Sequence, residues 1–450
     1  MSVLGRQPLS REEFENLDSV FKAPGLVPTL ISVFCAFGGW ALLLSVIPLA
    51  VIDAGQSDTL AGLSTAVFMG ATVLTQAFTP RVLRMVGYLP VMLGAALLLG
   101  LPAVLHVFTM TPLVIILVAI VRGIGFGSLT VAESALIADL VPVRLLGRAS
   151  GVLGLSVGIG ELLGFPLGMY LFDNFGPKVV FSAAGVYAIV GAIAALGLPA
   201  LKREGTPGQS ESSENTDHVE KERPQTVKTW KLATVPAILV CTASMGFAAF
   251  STFLAPAAAK LDAQAAAMIS GFTLSVVGGF QIISRLVTGW WADRVGEPGR
   301  LASIGQILSL VGLIGAGATI ALQPTGWALA IGSLIAAAFF GLGFGIAQSE
   351  ALLMMFNRLP RSRSAEASAL WNMAFDSGTG IGAMLLGLLA GYVMYQGTFF
   401  IAAAVVLAGL TVVVADRVLG RNRISEYDNV RLRLRRVRAR VRVNRHMKRQ

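Results

Sequence analysis

Three ionisable side chains stand inside stretches otherwise almost free of charge: Arg122, Glu161 and Asp376. A charge at the centre of a bilayer costs about 2.5–3.5 kcal/mol on insertion scales, so such residues are functional candidates. At the helical rise, Arg122 comes about 15 Å from the outer end of its stretch and Glu161 about 20 Å from the inner end of the next. By the same rise Asp376 lies about 15 Å along the eleventh stretch. All three depths fall near the middle of a hydrocarbon core about 30 Å thick. Arginine keeps its proton, whereas a carboxylate out of water can exchange one. Glu161 and Asp376 therefore suit proton coupling, with Arg122 modulating the nearer acid. A static buried salt bridge is the alternative for the same residues.

Other charges gather at one end of the apolar stretches. Asp293 and Arg294 close the eighth, Glu350 lies near the same end of the tenth, and Arg84 with Glu133 offers a rougher first-half counterpart. Opposite charges there can latch a gate that opens in a second state, biased by ligand or proton. Plain solvation of helix ends is the alternative. Trp40, Gln281, Ser284, Gln348, Trp371 and Asn372 could line a substrate path, although each equally suits a bond between helices. Arg285 stands between gate and path.

The elements that position these residues are apolar spans. The chain is 55% hydrophobic and 13% charged, with a mean hydropathy of +0.73, against about 25% charged in an ordinary soluble domain. A spanning helix needs about 20 apolar residues. Twelve such stretches are expected, near 26–52, 59–79, 89–109, 112–137, 148–171, 178–200, 231–257, 267–291, 301–322, 327–352, 366–394 and 398–418. Backbone groups in lipid must be bonded internally, so these are helices of an all-α membrane protein.

The chain also repeats itself. Gly123, Gly125, Phe126 and Gly127 return as Gly341, Gly343, Phe344 and Gly345, about 218 residues on. Pro142 returns as Pro360, Ala149-Ser150 as Ala367-Ser368, and Gly160 and Gly164 as Gly378 and Gly382. Two halves with the same helix order are the parallel-repeat pattern of secondary transporters, with the substrate site between them. The expected division is a cytoplasmic segment at 1–25, a six-helix bundle at 26–200, a linker at 201–230, a second bundle at 231–418 and a basic tail at 419–450.

Orientation follows from short loops. Arg81, Arg84, Arg144, Arg148, Arg294, Arg300, Arg358, Arg361 and Arg363 fall on one side, against Lys178 and Lys260 on the other. Both termini are therefore expected in the cytoplasm, in a multi-pass protein of the inner (cytoplasmic) membrane. The tail holds about twelve basic residues against Glu426 and Asp428, a surplus that matches the +10 of the whole chain. Such a segment suits anionic lipid, at about 1 kcal/mol per charge. No aromatic residue interleaves with the arginines from Arg431 to Gln450, so nucleic acid is not expected as a partner. Cys35 and Cys241 lie one per half inside apolar stretches, and His106, His218 and His446 are scattered, so neither metal nor cofactor is expected.

Four segments carry a resemblance. GWWADRVGEPGR (Gly289 to Arg300) resembles the loop motif of the major facilitator superfamily. Its first-half counterpart, TPRVLRMVGYLP (Thr79 to Pro90), departs from it, with Pro80 for the leading Gly and Arg84 where Asp is usual. RGIGFG from Arg122 resembles the Arg-and-Gly motif of proton-coupled members. GIGELLGFPLG (Gly158 to Gly168) resembles the Gly-Pro motif of drug:proton antiporters, with Phe165 between Gly164 and Pro166. The resemblance covers nearly the whole chain. It implies the twelve-helix drug/metabolite:proton antiporters: two pseudo-symmetric six-helix bundles and proton-coupled export of a small amphiphilic compound by a monomer. Proton-coupled uptake of a sugar or carboxylate is the main alternative, and a membrane receptor that binds without transporting is the second. No enzyme signature competes, because RGIGFG sits inside an apolar stretch with no strand before it.

Overall fold

Long apolar segments with internally bonded backbones build this molecule, as lipid requires. The computed structural model describes residues 11–44, 46–199, 229–295, 297–359 and 361–419, and no strand occurs among them. The expected linker at 201–230 and tail at 419–450 fall almost wholly outside the described residues, as does the start of the 1–25 segment.

The first half holds α1 (Leu26–Asp53), α2 (Asp58–Val86), α3 (Tyr88–Val107), α4 (Pro112–Leu140), α5 (Leu146–Phe175) and α6 (Pro177–Ala195). The second holds α7 (Thr229–Ala259), α8 (Ala263–Val295), α9 (Ala302–Leu322) and α10 (Gly326–Arg358). A last helical run, Ser364–Leu419, breaks at Met394, whose φ of 55° no helix accommodates. It forms α11 (364–393) and α12 (395–419). Among the described residues, eleven helices are long and apolar enough to cross a membrane on that ground alone. The first turns of α11 carry Glu366, Ser368, Asn372 and Asp376.

The repeated glycines explain why the halves fold alike. A Cβ on Gly123 or Gly127 of α4 would strike the α2 backbone at Phe68 or Thr72, and one on Gly125 would strike α3 at Ala95 and Leu99. Their counterparts on α10 meet α8 at Val277 and Gln281, and α9 at Gly305 and Ser309. Likewise Gly160 and Gly164 of α5 lie against α1 at Phe34 and Gly38, and Gly378 and Gly382 of α11 against α7 at Cys241 and Met245. Close approach of this kind is how helices associate where no water drives them together. Aromatic rings follow the same symmetry. Trp40 stacks on Phe126 at 5.1 Å and 5° between planes, and Phe247 stacks on Phe344 at 5.2 Å and 6°.

A ladder of bonds joins the two halves, running from the end that bears the arginine-rich loops to mid-depth. Arg84 of α2 pairs with Glu366 of α11 at 3.0 Å. Next along α11, Ser364 donates to Asp139 at 3.0 Å, Ser368 to the Val131 carbonyl at 2.9 Å and Asn372 to the Thr130 carbonyl at 3.1 Å. Ala365 and Ala369 of α11 are buried in the first half's core. On the opposite seam α5 lies against α8, closest where Gly147 meets Gly289.

Candidate functional site

The ladder ends at a carboxylate. Gln76 of α2 donates its amide to Asp376 of α11 at 2.5 Å, and the same amide reaches the Thr130 hydroxyl of α4 at 3.3 Å. Gln76 is fully buried and Asp376 half-buried, so this acid sits at the inner limit of the contact between halves. An ionised carboxylate can only accept hydrogen bonds, whereas a protonated one also donates. Gln76 can therefore donate to Asp376 in either protonation state, and more strongly to the ionised one.

A second charged group lies on the other seam. Arg285 of α8 is 7% exposed, and its guanidinium packs against α5 so closely that Gly154 has no room for a Cβ. It lies within electrostatic reach of Glu133 of α4 and Glu161 of α5. Glu133 is 4% exposed, and both its Oε2 and the Arg285 Nε lack a hydrogen-bond partner. Two first-half carboxylates thus lie near one second-half cation without a direct ion pair within 4 Å among the described residues. The residue left between gate and path in the sequence stands near both acids.

Arg122, by contrast, turns away from Glu161. Its Nε donates to the Leu99 carbonyl of α3 at 3.0 Å, and its guanidinium lies 5.3 Å over the Phe68 ring of α2. The expected partnership of Arg122 with the nearer acid is replaced by that of Arg285.

The gate residues take separate places. Asp293 accepts from the backbone amides of Gly147 at 2.7 Å and Arg148 at 2.9 Å, with the Arg148 side chain 3.6 Å away. Those amides belong to the first turn of α5, which has no intrahelical partners for them and carries the positive end of the helix dipole. Asp293 of the second half therefore caps a helix of the first. Arg294 lies over the Trp290 ring at 3.7 Å. Glu350 stays within its own half, accepting from the amides of Gly299 and Leu301 and pinning the loop that leads into α9. Gly299 has a φ of 92°, a conformation that favours glycine. Arg84 reaches Glu366 and not Glu133, which is deep in the bundle beside Arg285.

Of the path residues, three from different helices come together. Gln281 of α8 donates to the Gln348 side chain of α10 at 3.1 Å, and the Trp371 indole of α11 donates to the Gln348 carbonyl at 3.2 Å. Ser284 bonds back to the Gln281 carbonyl at 3.0 Å. Asn372 belongs to the ladder, and Trp40 lies in the first half among Phe37, Phe126 and Phe165. Among the described residues no three His, Cys, Asp or Glu side chains gather as a metal site would need.

A sequence model of the Major Facilitator Superfamily matches residues 29–379. The chain belongs to this superfamily. It is a membrane transporter and not an enzyme. The solved structure of the proton:xylose symporter XylE bound to 6-bromo-6-deoxy-D-glucose superimposes with a TM-score of 0.68. That likeness covers 87% of this chain and 94% of that one at 15% identity, so it speaks for the fold alone. Two curated relatives match part of the chain. One is the uncharacterized MFS-type transporter Rv1877 of Mycobacterium tuberculosis, 27% identical over 40% of this chain and 26% of that protein. The other is the purine ribonucleoside efflux pump NepI of Salmonella enteritidis, 25% identical over 39% of this chain and 46% of that protein. The matches thus span less than half the length of either relative.

Within this transporter, three members of the candidate site were not legible as such in the sequence. Gln76 and Thr130 are neutral polar residues in apolar stretches, and nothing in spacing singles them out. Arg285 carried a signal, being a charge inside an expected span near its end, but a linear sequence does not say which acid it faces.

Proposed function

We propose that this transporter exports a small amphiphilic compound from the cytoplasm in exchange for protons, by alternating access. The observation that carries the reading is Asp376 held by Gln76 across the two halves at 2.5 Å. Alternating access needs an element whose ligand binds its two states unequally. A proton on Asp376 acts on a bond between the halves, so its arrival and departure bias the state in which they meet. The Arg285 cluster supports the same reading, because its charge balance changes with one proton on Glu133 or Glu161. Each elementary charge crossing 100 mV is worth about 2.3 kcal/mol, enough to drive accumulation.

The outward direction rests on two supports. One is the resemblance of GIGELLGFPLG to the antiporter motif. The other is the partial likeness to an efflux pump. The arginine-rich end is the cytoplasmic one in this reading, so the ladder closes the cytoplasmic face and the conformation opens outward. Both termini then lie inside the cell, and the protein works as a monomer in the inner membrane. Anionic lipid holds the basic tail.

Proteoliposomes under an imposed pH gradient test the proposal. Substrate movement opposite to protons is expected. Movement with the protons would replace export by uptake, and absence of flux for every candidate would favour a receptor. Orientation is tested separately, with an impermeant thiol reagent outside intact cells. It should label cysteines placed at Gln56 and Thr325 and leave one at Thr206 untouched.

A further inference from the structure

The two halves are alike in their stacked ring pairs, so the places where they differ inside that shared frame are informative. Trp40 occupies the position of Phe247, stacked in the same way on the repeated phenylalanine. Four residues before Phe126 stands Arg122, and four before Phe344 stands Phe340. In the second half Phe340 is fully buried, packed on Phe250 at 4.7 Å and on Phe344 at 5.4 Å. That place is filled. In the first half the corresponding place holds a guanidinium beside a small open cleft.

The cleft is walled by Trp40 and Ile47 of α1, Ser64, Thr65 and Phe68 of α2, His106 of α3 and Arg122 of α4. No carboxylate is among its lining residues. Arg122 is 5% exposed and His106 4%, yet the His106 Nδ1 has no hydrogen-bond partner and neither has the Trp40 indole N–H. A buried cation without an acidic partner is costly unless something compensates it. Within this cleft the compensation available is a carbonyl, Leu99, and an aromatic face, Phe68. Guanidinium, indole N–H and imidazole around an aromatic-walled space form a donor set for one anionic group on a flat apolar body.

We propose that this cleft binds the carboxylate of a small aromatic compound, with Arg122 as its counter-ion and Trp40 and Phe68 against the ring. The assignment rests on the reading of the chain as a small-molecule exporter and narrows its substrate class to aromatic carboxylates. It places the recognition site inside the first bundle, between α1, α2 and α4, apart from Asp376 and from the Arg285 cluster.

Equilibrium titration of the full-length protein in nanodiscs tests this at fixed pH without any transport step. The probes are benzoate, its neutral isostere benzamide, and chloride. Benzoate is expected to bind about tenfold or more tightly than benzamide, the size of a charge-assisted hydrogen bond. Arg122→Gln should remove that preference, while Trp40→Phe should weaken both probes and keep the preference. The wild-type comparison stands even if Arg122→Gln does not fold. Equal affinity for benzoate and benzamide would overturn the assignment, as would binding of neither. So would chloride matching benzoate, since any small anion would then suffice. Pumping of a neutral or cationic compound without benzoate binding would remove this inference and leave the export reading standing.

Discussion

Gln76 and Asp376 are 300 residues apart in the chain and 2.5 Å apart in the folded protein. One belongs to each half, so their bond forms only when α2 and α11 meet. Asp376→Asn keeps the size of the side chain and removes the titration. In proteoliposomes it should abolish transport driven by a pH gradient while leaving substrate-for-substrate exchange at no gradient. Gradient-driven transport at the wild-type rate by this variant would take the proton away from Asp376.

The two contacts between the halves at the arginine-rich end differ in strength. Arg84 and Glu366 have side chains 47% and 28% exposed, and a pair that open to water contributes about 0–1 kcal/mol. Asp293 is 5% exposed, accepts two backbone amides of a helix N-terminus and neighbours Arg148. Removing a helix cap costs about 0.5–2 kcal/mol, a shift in state population of up to about 30-fold. Asp293→Ala should therefore open the arginine-rich face much more than Arg84→Gln does. The readout is maleimide labelling of Ser368→Cys from that face, since Ser368 is fully buried in the ladder. Equal labelling in the two variants would place the latch elsewhere.

Arg285 lies near two buried acids, which predicts non-additive substitutions. Removing the cation leaves the acids' charges uncompensated. Arg285→Gln should lower the melting temperature strongly. Glu133→Gln in the same molecule should restore part of the loss, with a coupling energy of about 0.5–3 kcal/mol between the sites. Additive effects would mean that the two side chains do not interact.

Much of this arrangement was legible in the residue string. The long apolar helices followed from apolar length, and the recurrence of Gly123, Gly125 and Gly127 marked helices that repeat one packing. What a string does not carry is azimuth. Arg122 and Glu161 come near the same depth on neighbouring helices, yet Arg122 faces α2 and α3 while Glu161 lies near Arg285 of the other half. Whether Glu133 belongs to a helix end or to the interior depends on the same unknown. The partners of Arg84 and Asp293 lie across the half-to-half interface, where local periodicity says nothing.

Glycine substitutions separate packing from motion. A methyl group on Gly125 would meet the α3 backbone at Ala95 and Leu99, and one on Gly343 the α9 backbone at Gly305 and Ser309. Overpacking of that kind costs about 1–3 kcal/mol, because backbone cannot move aside as a side chain can. At Gly70 of α2 and Gly278 of α8 the same methyl group meets nothing within 4 Å. There alanine gains the helical preference of up to about 1 kcal/mol over glycine. Thermal melting should therefore fall for Gly125→Ala and Gly343→Ala and hold or rise for Gly70→Ala and Gly278→Ala. Transport adds a second axis. A Gly278→Ala protein that melts normally but transports slowly would mean that α8 needs its bare surface in the other conformation. Similar melting for all four variants would contradict the packing account of the repeat.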